Sequence, residues 1–289
     1  MPMLVIAGEY RIVGAAPDGD SVRFYPDDPD QWDLIPTAAK VKRNTSGGAQ
    51  LRMDGVDSLE THYTVEGQSL HQPLGPAQEA AAALLRWLGF TRVSRNDRET
   101  VLSAEPVATR GYVLTRQVDI YGRCVALVGR GEAPGESGTL LHVTPTMLRR
   151  TANYRQLSTG MAYPTYYRKL YPDLRNTMTG AVLTARRHGR GVWPHDLSRS
   201  GLVVKGLDHL DEDAVILPKL YRRLATYLAL ADGDERVAGF LDYLDREDDR
   251  VFVRSTEQFT SFDTVVRVDV RRNSVAMITD PEDLVFEEK

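Results

Sequence analysis

Ser21-Val-Arg-Phe-Tyr alternates polar and apolar positions, the pattern of a strand with one buried face. Glu9-Tyr-Arg-Ile-Val-Gly precedes it, and Pro17-Asp-Gly-Asp20 between the two reads as a turn in which glycine supplies a positive φ, so a β-hairpin is predicted. Pro26 to Pro36, rich in Asp and Pro, reads as a loop. Ala39-Lys-Val-Lys-Arg and Ala49-Gln-Leu-Arg-Met then read as strands joined around Ser46-Gly-Gly. Gly75-Pro-Ala-Gln-Glu-Ala opens a run of strong helix formers that stops at Gly89, with Pro76 in the first turn where its missing N–H costs nothing. Further strands are predicted at about Thr100–Ser103, Tyr112–Ile120 and Cys124–Gly129, the last two joined at Tyr121-Gly122. Pro145 to Ser158 and Leu174 to His188 read as helices, the second with Met178, Val182 and Leu183 on one face.

After Trp193-Pro-His-Asp the composition changes, and Ser198 to Gly206 is read as a linker. A helix beginning near Pro218 carries Leu217, Leu220, Tyr221, Leu224 and Leu228 on its apolar face, and a second follows through Val237, Phe240, Leu241 and Leu244. Alternating strands at Val251-Phe-Val-Arg, Thr264–Val270 and Ser274–Ile278 precede an acidic tail from Asp280. The expected class is α+β, with a domain over residues 1–200 and an acidic α+β accessory module over 204–289.

Charge sharpens that division. The net charge is −4, yet residues 1–200 carry 24 Lys and Arg against 20 Asp and Glu, while 201–289 carry 12 against 20. Residues 151–200 are the most basic window, 8 against 2, a balance suited to nucleic acid beside an acidic module that could mediate homo-oligomerisation, bind a protein or compete with substrate. The single cysteine, Cys124, excludes an internal disulfide and a Cys-based zinc site, and the six histidines never fall in a His-x-His or His-x-x-x-His pair. No stretch approaches the roughly 20 apolar residues of a membrane span, and the opening residues form no basic leader, so a soluble cytoplasmic protein with no membrane partner is expected. Gly129 to Gly138 is glycine-rich but lacks the strand-to-helix frame and the Gly-Lys-Ser/Thr ending of a phosphate loop; it is read as a hairpin loop.

Candidate chemistry lies in three segments: Asp18-Gly-Asp20-Ser-Val, Arg52-Met-Asp-Gly-Val-Asp57-Ser58-Leu-Glu60 and Asp119-Ile-Tyr-Gly-Arg123. Cleaving a phosphodiester requires charge neutralisation at phosphorus, an in-line water and removal of its proton. Paired carboxylates suit a hard divalent cation, Ca²⁺ or Mg²⁺, rather than zinc, and arginine forks match phosphate oxygens. A further carboxylate near the water can act as general base. Singly, each segment also reads as a plain turn, an exposed acidic turn or a hairpin corner with an ion pair. Tyr163-Pro-Thr-Tyr166-Tyr-Arg-Lys-Leu-Tyr interleaves rings and cations, which suits base stacking with phosphate contact or, equally, tyrosines sealing a barrel–helix interface.

In their order and spacing these segments resemble the staphylococcal nuclease (thermonuclease-like) family over about residues 8–195. That family has an Asp-Gly-Asp-Thr-Val-like hairpin turn, then Arg-Leu-x-x-Val-Asp-Thr-Pro-Glu, a Gly-Pro-Glu-Ala-like helix start and Asp-x-Tyr-Gly-Arg. Gly75-Pro-Ala-Gln-Glu-Ala stands at the helix start here, and Gly191-Val-Trp193 resembles the end of the last helix. The resemblance implies a five-stranded OB-type barrel with three helices and a calcium-dependent nuclease acting on DNA and RNA, on single-stranded or flexible substrate, leaving 3′-phosphate ends. It makes Asp20, Asp57 and the Ser58 carbonyl the cation ligands, assigns the attacking water to Glu60 and the phosphate to Arg52 and Arg123, and packs Tyr163 and Tyr166 on the nucleotide. Ser58 and Leu59 depart from the family's Thr and Pro, and the segments Pro26–Ser46, Thr91–Tyr112 and Gly129–Gly138 are longer than usual, so they are candidates to narrow or gate the cleft. The alternative is a barrel that binds nucleic acid or protein without cutting.

Overall fold

A computed structural model describes residues 2–231 and 235–288. Five strands close a barrel: β1 (Pro2–Tyr10), β2 (Ser21–Pro26), β3 (Ala49–Met53), β4 (Thr109–Val118) and β5 (Cys124–Arg130). Their order is β1-β2-β3-β5-β4 and back to β1, every pair antiparallel except β3 with β5, which is the arrangement of an OB-type barrel. Alternation on β3 (Leu51 and Met53 inward) follows the sequence pattern. β5 instead is buried on both faces from Cys124 to Gly129, because a helix covers its outer side.

Three helices pack around the barrel: α1 (Leu74–Leu88), α2 (Ala152–Thr159) and α3 (Pro172–Arg187). α1 ends at Gly89, whose φ of +106° is the left-handed cap that glycine takes without steric cost. α2 is tied to the barrel by Asn153, fully buried, which accepts from the Val128 amide (2.8 Å) and donates to the carbonyls of Asp54 (2.8 Å) and Ala126 (3.0 Å).

Several predicted elements differ in extent. The first strand begins at Pro2 rather than near Glu9, because Leu4, Val5 and Ile6 are all buried on pairing with β4. Ala39–Arg43 forms no strand, only a single bridge from Arg43 to Ala49, while the expected loop after Pro26 contains a short 3₁₀ turn that buries Trp32. Pro145–Ser158 divides into two helical pieces because the chain bends at Arg149–Thr151, where Thr151 caps α2 by accepting from the Tyr154 amide.

The chain beyond residue 200 is built into the same body. A five-stranded sheet runs in the order Gln258–Ser261, Arg250–Val253, Leu284–Phe286, Tyr163–Tyr167, Gly55–Asp57. The tail expected to be an acidic extension therefore supplies Leu284, Val285 and Phe286 as a buried strand parallel to Tyr163–Tyr167. The segment read as a linker is packed too: Leu202–Val203 pairs with Ser274–Met277, and the buried Ser198 accepts from the Leu217 amide through its hydroxyl oxygen. One apolar core spans both parts of the chain. Helix α4 (Pro218–Leu230) turns Leu220, Tyr221, Leu224 and Leu228 into that core. Among the described residues no helix is long and apolar enough to cross a membrane.

Candidate active site

The three motif segments meet at one cleft of about 460 Å³. Asp20 ends the β1–β2 turn. The Asp18 carboxylate accepts from the Asp20 amide (3.1 Å), and the Asp20 carbonyl accepts from Met53 (2.8 Å). Gly19 is required here for close approach rather than for a positive φ: a Cβ would lie 2.6 Å from the Ser58 Cβ and 2.7 Å from the Ala80 Cβ. The Gln156 amide group seals the turn by donating to the carbonyls of Gly19 (2.7 Å) and Ala80 (3.0 Å).

Asp57 is delivered by a sharp bend after β3. Gly55, at φ +77°, lets the chain turn out of the barrel and pair Gly55–Asp57 with Tyr163–Thr165. The Ser58 amide donates to the Asp20 carboxylate (3.1 Å), which ties Asp20 to the segment that carries Asp57 and Ser58. Glu60 is held through its main chain by the buried Gln72, whose side-chain Oε1 accepts from the Glu60 amide (3.2 Å) and whose main-chain amide donates to the Glu60 carbonyl (2.9 Å). Leu59, where the resemblance would have Pro, is buried in the core and anchors this turn by packing. The Asp57–Glu60 segment is thus no exposed acidic turn.

Arg52 projects from β3, stacks on Tyr167 with its guanidinium carbon 5.0 Å from the ring centre, and donates to the Tyr167 hydroxyl (3.3 Å). Arg123 lies across the cleft at the β4–β5 corner, where its Nε donates to Asp119 (2.7 Å); Asp119 also accepts from the amides of Arg123 and Tyr121. All five side chains of the motif set therefore line the same cleft. Tyr163 and Tyr166, expected against the nucleotide, do not: both rings are fully buried, their hydroxyls engaged by Asp196 (2.9 Å) and Thr179 (3.1 Å). The interface-sealing reading fits their position, and Tyr167, which follows Tyr166 and points to the opposite side of the strand from it, is the ring of this segment that faces Arg52 and the cleft. None of the long segments expected to gate the cleft lines it.

Helix α4 does line it. Arg222 forms a two-pronged pair with Asp57, Nη2 to Oδ2 at 2.7 Å and Nη1 to Oδ1 at 3.1 Å, and the same Nη1 donates to Glu60. Lys219 sits 3.2 Å from Asp249 and 4.8 Å above the Phe286 ring centre, and Arg223 bonds to Asp249 (2.7 Å). Sequence reasoning missed this contribution. Its only trace is Lys219-x-x-Arg222-Arg223, a basic cluster in a segment otherwise rich in acid.

The electrostatics follow from this packing. Burial pushes the Asp20 carboxyl well above the usual range, reinforced by the charges of Asp18, Asp57 and Glu60. Among the described residues no cation pairs with it. Burial also acts on Asp57, but the Arg222 guanidinium, with Arg52 and Lys219 behind it, outweighs burial and holds this carboxyl below its ordinary value. Glu60 is raised by burial, in part offset by Arg222. Lys219 is lowered by burial, and Tyr167, despite its own burial, is lowered by Arg52 and Lys219. In kind, Asp20, Asp57 and Glu60 are the hard oxygen donors that a divalent cation takes, and Asp20 is the one of the three with no positive charge against it among the described residues. On the side of Asp57 and Glu60, Arg222 already provides one. Among the described residues no cluster of three or more His, Cys, Asp or Glu forms a preassembled metal site. The sequence matches no protein-family model and no curated protein.

Proposed function

We propose that this chain is a divalent-cation-dependent phosphodiesterase that hydrolyses DNA or RNA, with Ca²⁺ as the expected ion and 3′-phosphate ends as products. The observation that supports this is the meeting of Asp20, Arg52, Asp57, Glu60 and Arg123, from three separate segments, in one cleft. Asp20, Asp57 and the Ser58 carbonyl would hold the ion, which when bound supplies positive charge to the scissile phosphate.

The protein's own groups account for the rest. Arg52, braced by Tyr167, and Arg123, braced by Asp119, present rigid forks to the non-bridging phosphate oxygens, whose charge grows as the pentacoordinate state forms. Glu60, fixed by Gln72, orients a water and takes its proton as the water oxygen bonds to phosphorus. The P–O5′ bond then breaks, its electron pair and a proton going to the 5′-oxygen, and the phosphate stays on the 3′ side. Burial raises the Glu60 carboxyl above its ordinary value, which makes its carboxylate a better proton acceptor than an exposed one. The test is degradation of denatured DNA in Ca²⁺ by the full chain. Glu60→Gln and Asp57→Asn should each lower the rate by about 10²-fold or more; undiminished cleavage by both variants, or in EDTA, refutes the reading.

A second reading is favoured by Arg222. With Asp57 and Glu60 already paired with one guanidinium, the barrel is suited to bind nucleic acid or protein without cutting it. Retention of a single-stranded oligonucleotide without turnover in Ca²⁺ distinguishes this from cleavage.

A further inference from the structure

We propose that Arg222 is a built-in counter-cation that competes with a divalent ion for Asp57 and Glu60, so that ion binding and the docking of α4 against the cleft oppose each other. This rests on reading Asp20 and Asp57 as cation ligands, and goes beyond it by assigning control of their affinity to the segment after residue 200.

Three features carry the inference. Arg222 uses both terminal nitrogens on both oxygens of Asp57, so an ion reaching that carboxylate at the 2.3–2.6 Å typical of calcium must share or displace these bonds. Its Nη1 also binds Glu60, placing the guanidinium between the two carboxylates rather than to one side. The helix is anchored by contacts that do not involve the cleft carboxylates: the Tyr221 hydroxyl donates to the His71 carbonyl (2.7 Å), and Thr226 bonds to Tyr63 (2.8 Å). Arg222 is therefore brought to Asp57 by the packing of α4, and the ion pair is not an accident of a loose side chain. A +1 guanidinium and a +2 ion on one buried carboxylate repel each other, and a coupling between two ligands is reciprocal: whatever weakens one weakens the other by the same factor.

The experiment is titration calorimetry of the full chain with Ca²⁺ alone, wild type against Arg222→Gln, the fold of each checked by circular dichroism. Removing the guanidinium should tighten Ca²⁺ by about 10- to 100-fold, within the usual range of coupling between sites. Wild type provides an independent readout should the variant fold poorly: saturating Ca²⁺ should speed hydrogen exchange of the amides in 218–230. Equal affinity of wild type and variant, or exchange in 218–230 that Ca²⁺ leaves unchanged although it binds, overturns the competition while leaving the proposed hydrolysis intact. A folded variant that binds no Ca²⁺ overturns both.

Discussion

Gln72 joins the cleft to the second half of the chain, and replacing it by methionine tests that link. The side chain is fully buried. Its oxygen accepts from the Glu60 amide, and its nitrogen donates to the carbonyls of Ala214 (2.8 Å) and Ile216 (2.9 Å), just before α4. Methionine has nearly the same length and volume, so packing is largely kept and the loss is polar. The Ala214 carbonyl retains a partner in the Ile216 amide (2.9 Å). The Glu60 amide and the Ile216 carbonyl lose theirs, and each buried unpartnered group costs about 1–3 kcal/mol, so Gln72→Met should destabilise by about 2–6 kcal/mol. With an unfolding entropy of about 2.1 cal/mol/K per residue, this corresponds to a fall in Tm of about 3–10 °C for a chain of this size. Urea unfolding followed by tryptophan fluorescence measures the first quantity and a thermal melt the second. A loss under about 1 kcal/mol would show that these bonds are replaced by water, and that Glu60 is not held from beneath by Gln72.

Two other perturbations read the neighbourhood of the cleft. Asp54 is buried, which pushes its pKa up to about 6 against the opposing pull of Arg52. Because the folded value exceeds the unfolded one of about 3.9, the fold favours the neutral acid: its full stability is present below about pH 4 and is lost as pH rises through 6, by about 3 kcal/mol at pH 7. Asp54→Asn should therefore be more stable than wild type by about that amount at pH 7 and converge with it at pH 4 in urea titrations; a difference independent of pH would refute the assignment. Gly19→Ala places a methyl group 2.6 Å from the Ser58 Cβ and should cost about 1–3 kcal/mol by forcing the Asp20 turn off the Ser58 segment; a change below about 0.5 kcal/mol in the same assay would mean that the turn yields freely.

The barrel was legible because its information is local. Alternation in Ser21–Tyr25 and Ala49–Met53, glycine at 89 and proline at 76 each act through a few neighbouring residues, and β2, β3 and α1 fall where those signals put them. The motif residues were legible as a set for the same reason: short segments carry them, and barrel closure brings the segments together. What remained hidden depends on contacts across long stretches of chain. Leu284–Phe286 looks like part of a charged tail until Tyr163–Tyr167 is available as its neighbour. Tyr163 and Tyr166 look like stacking rings because a strand buried on both faces has no periodicity that separates core from cleft. Arg222 lies 165 residues from Asp57, and the amphipathic pattern of α4 reports which face is buried but not what the flanking cations meet.

The central sheet also sets an order in time. Tyr163–Tyr167 lies between Gly55–Asp57, which precedes it, and Leu284–Phe286, whose neighbouring Glu287 lies 119 residues beyond Arg168. On a ribosome adding about 5–20 residues per second, that separation is about 6–24 s during which one edge of the strand has no partner and Arg222 is made before its helix can be locked in place. A nascent chain in this interval presents an open strand edge, the kind of surface that pairs with another copy, and carboxylates whose guanidinium has yet to dock. The late strand is therefore a point at which slowed synthesis would favour association between chains over completion of the fold.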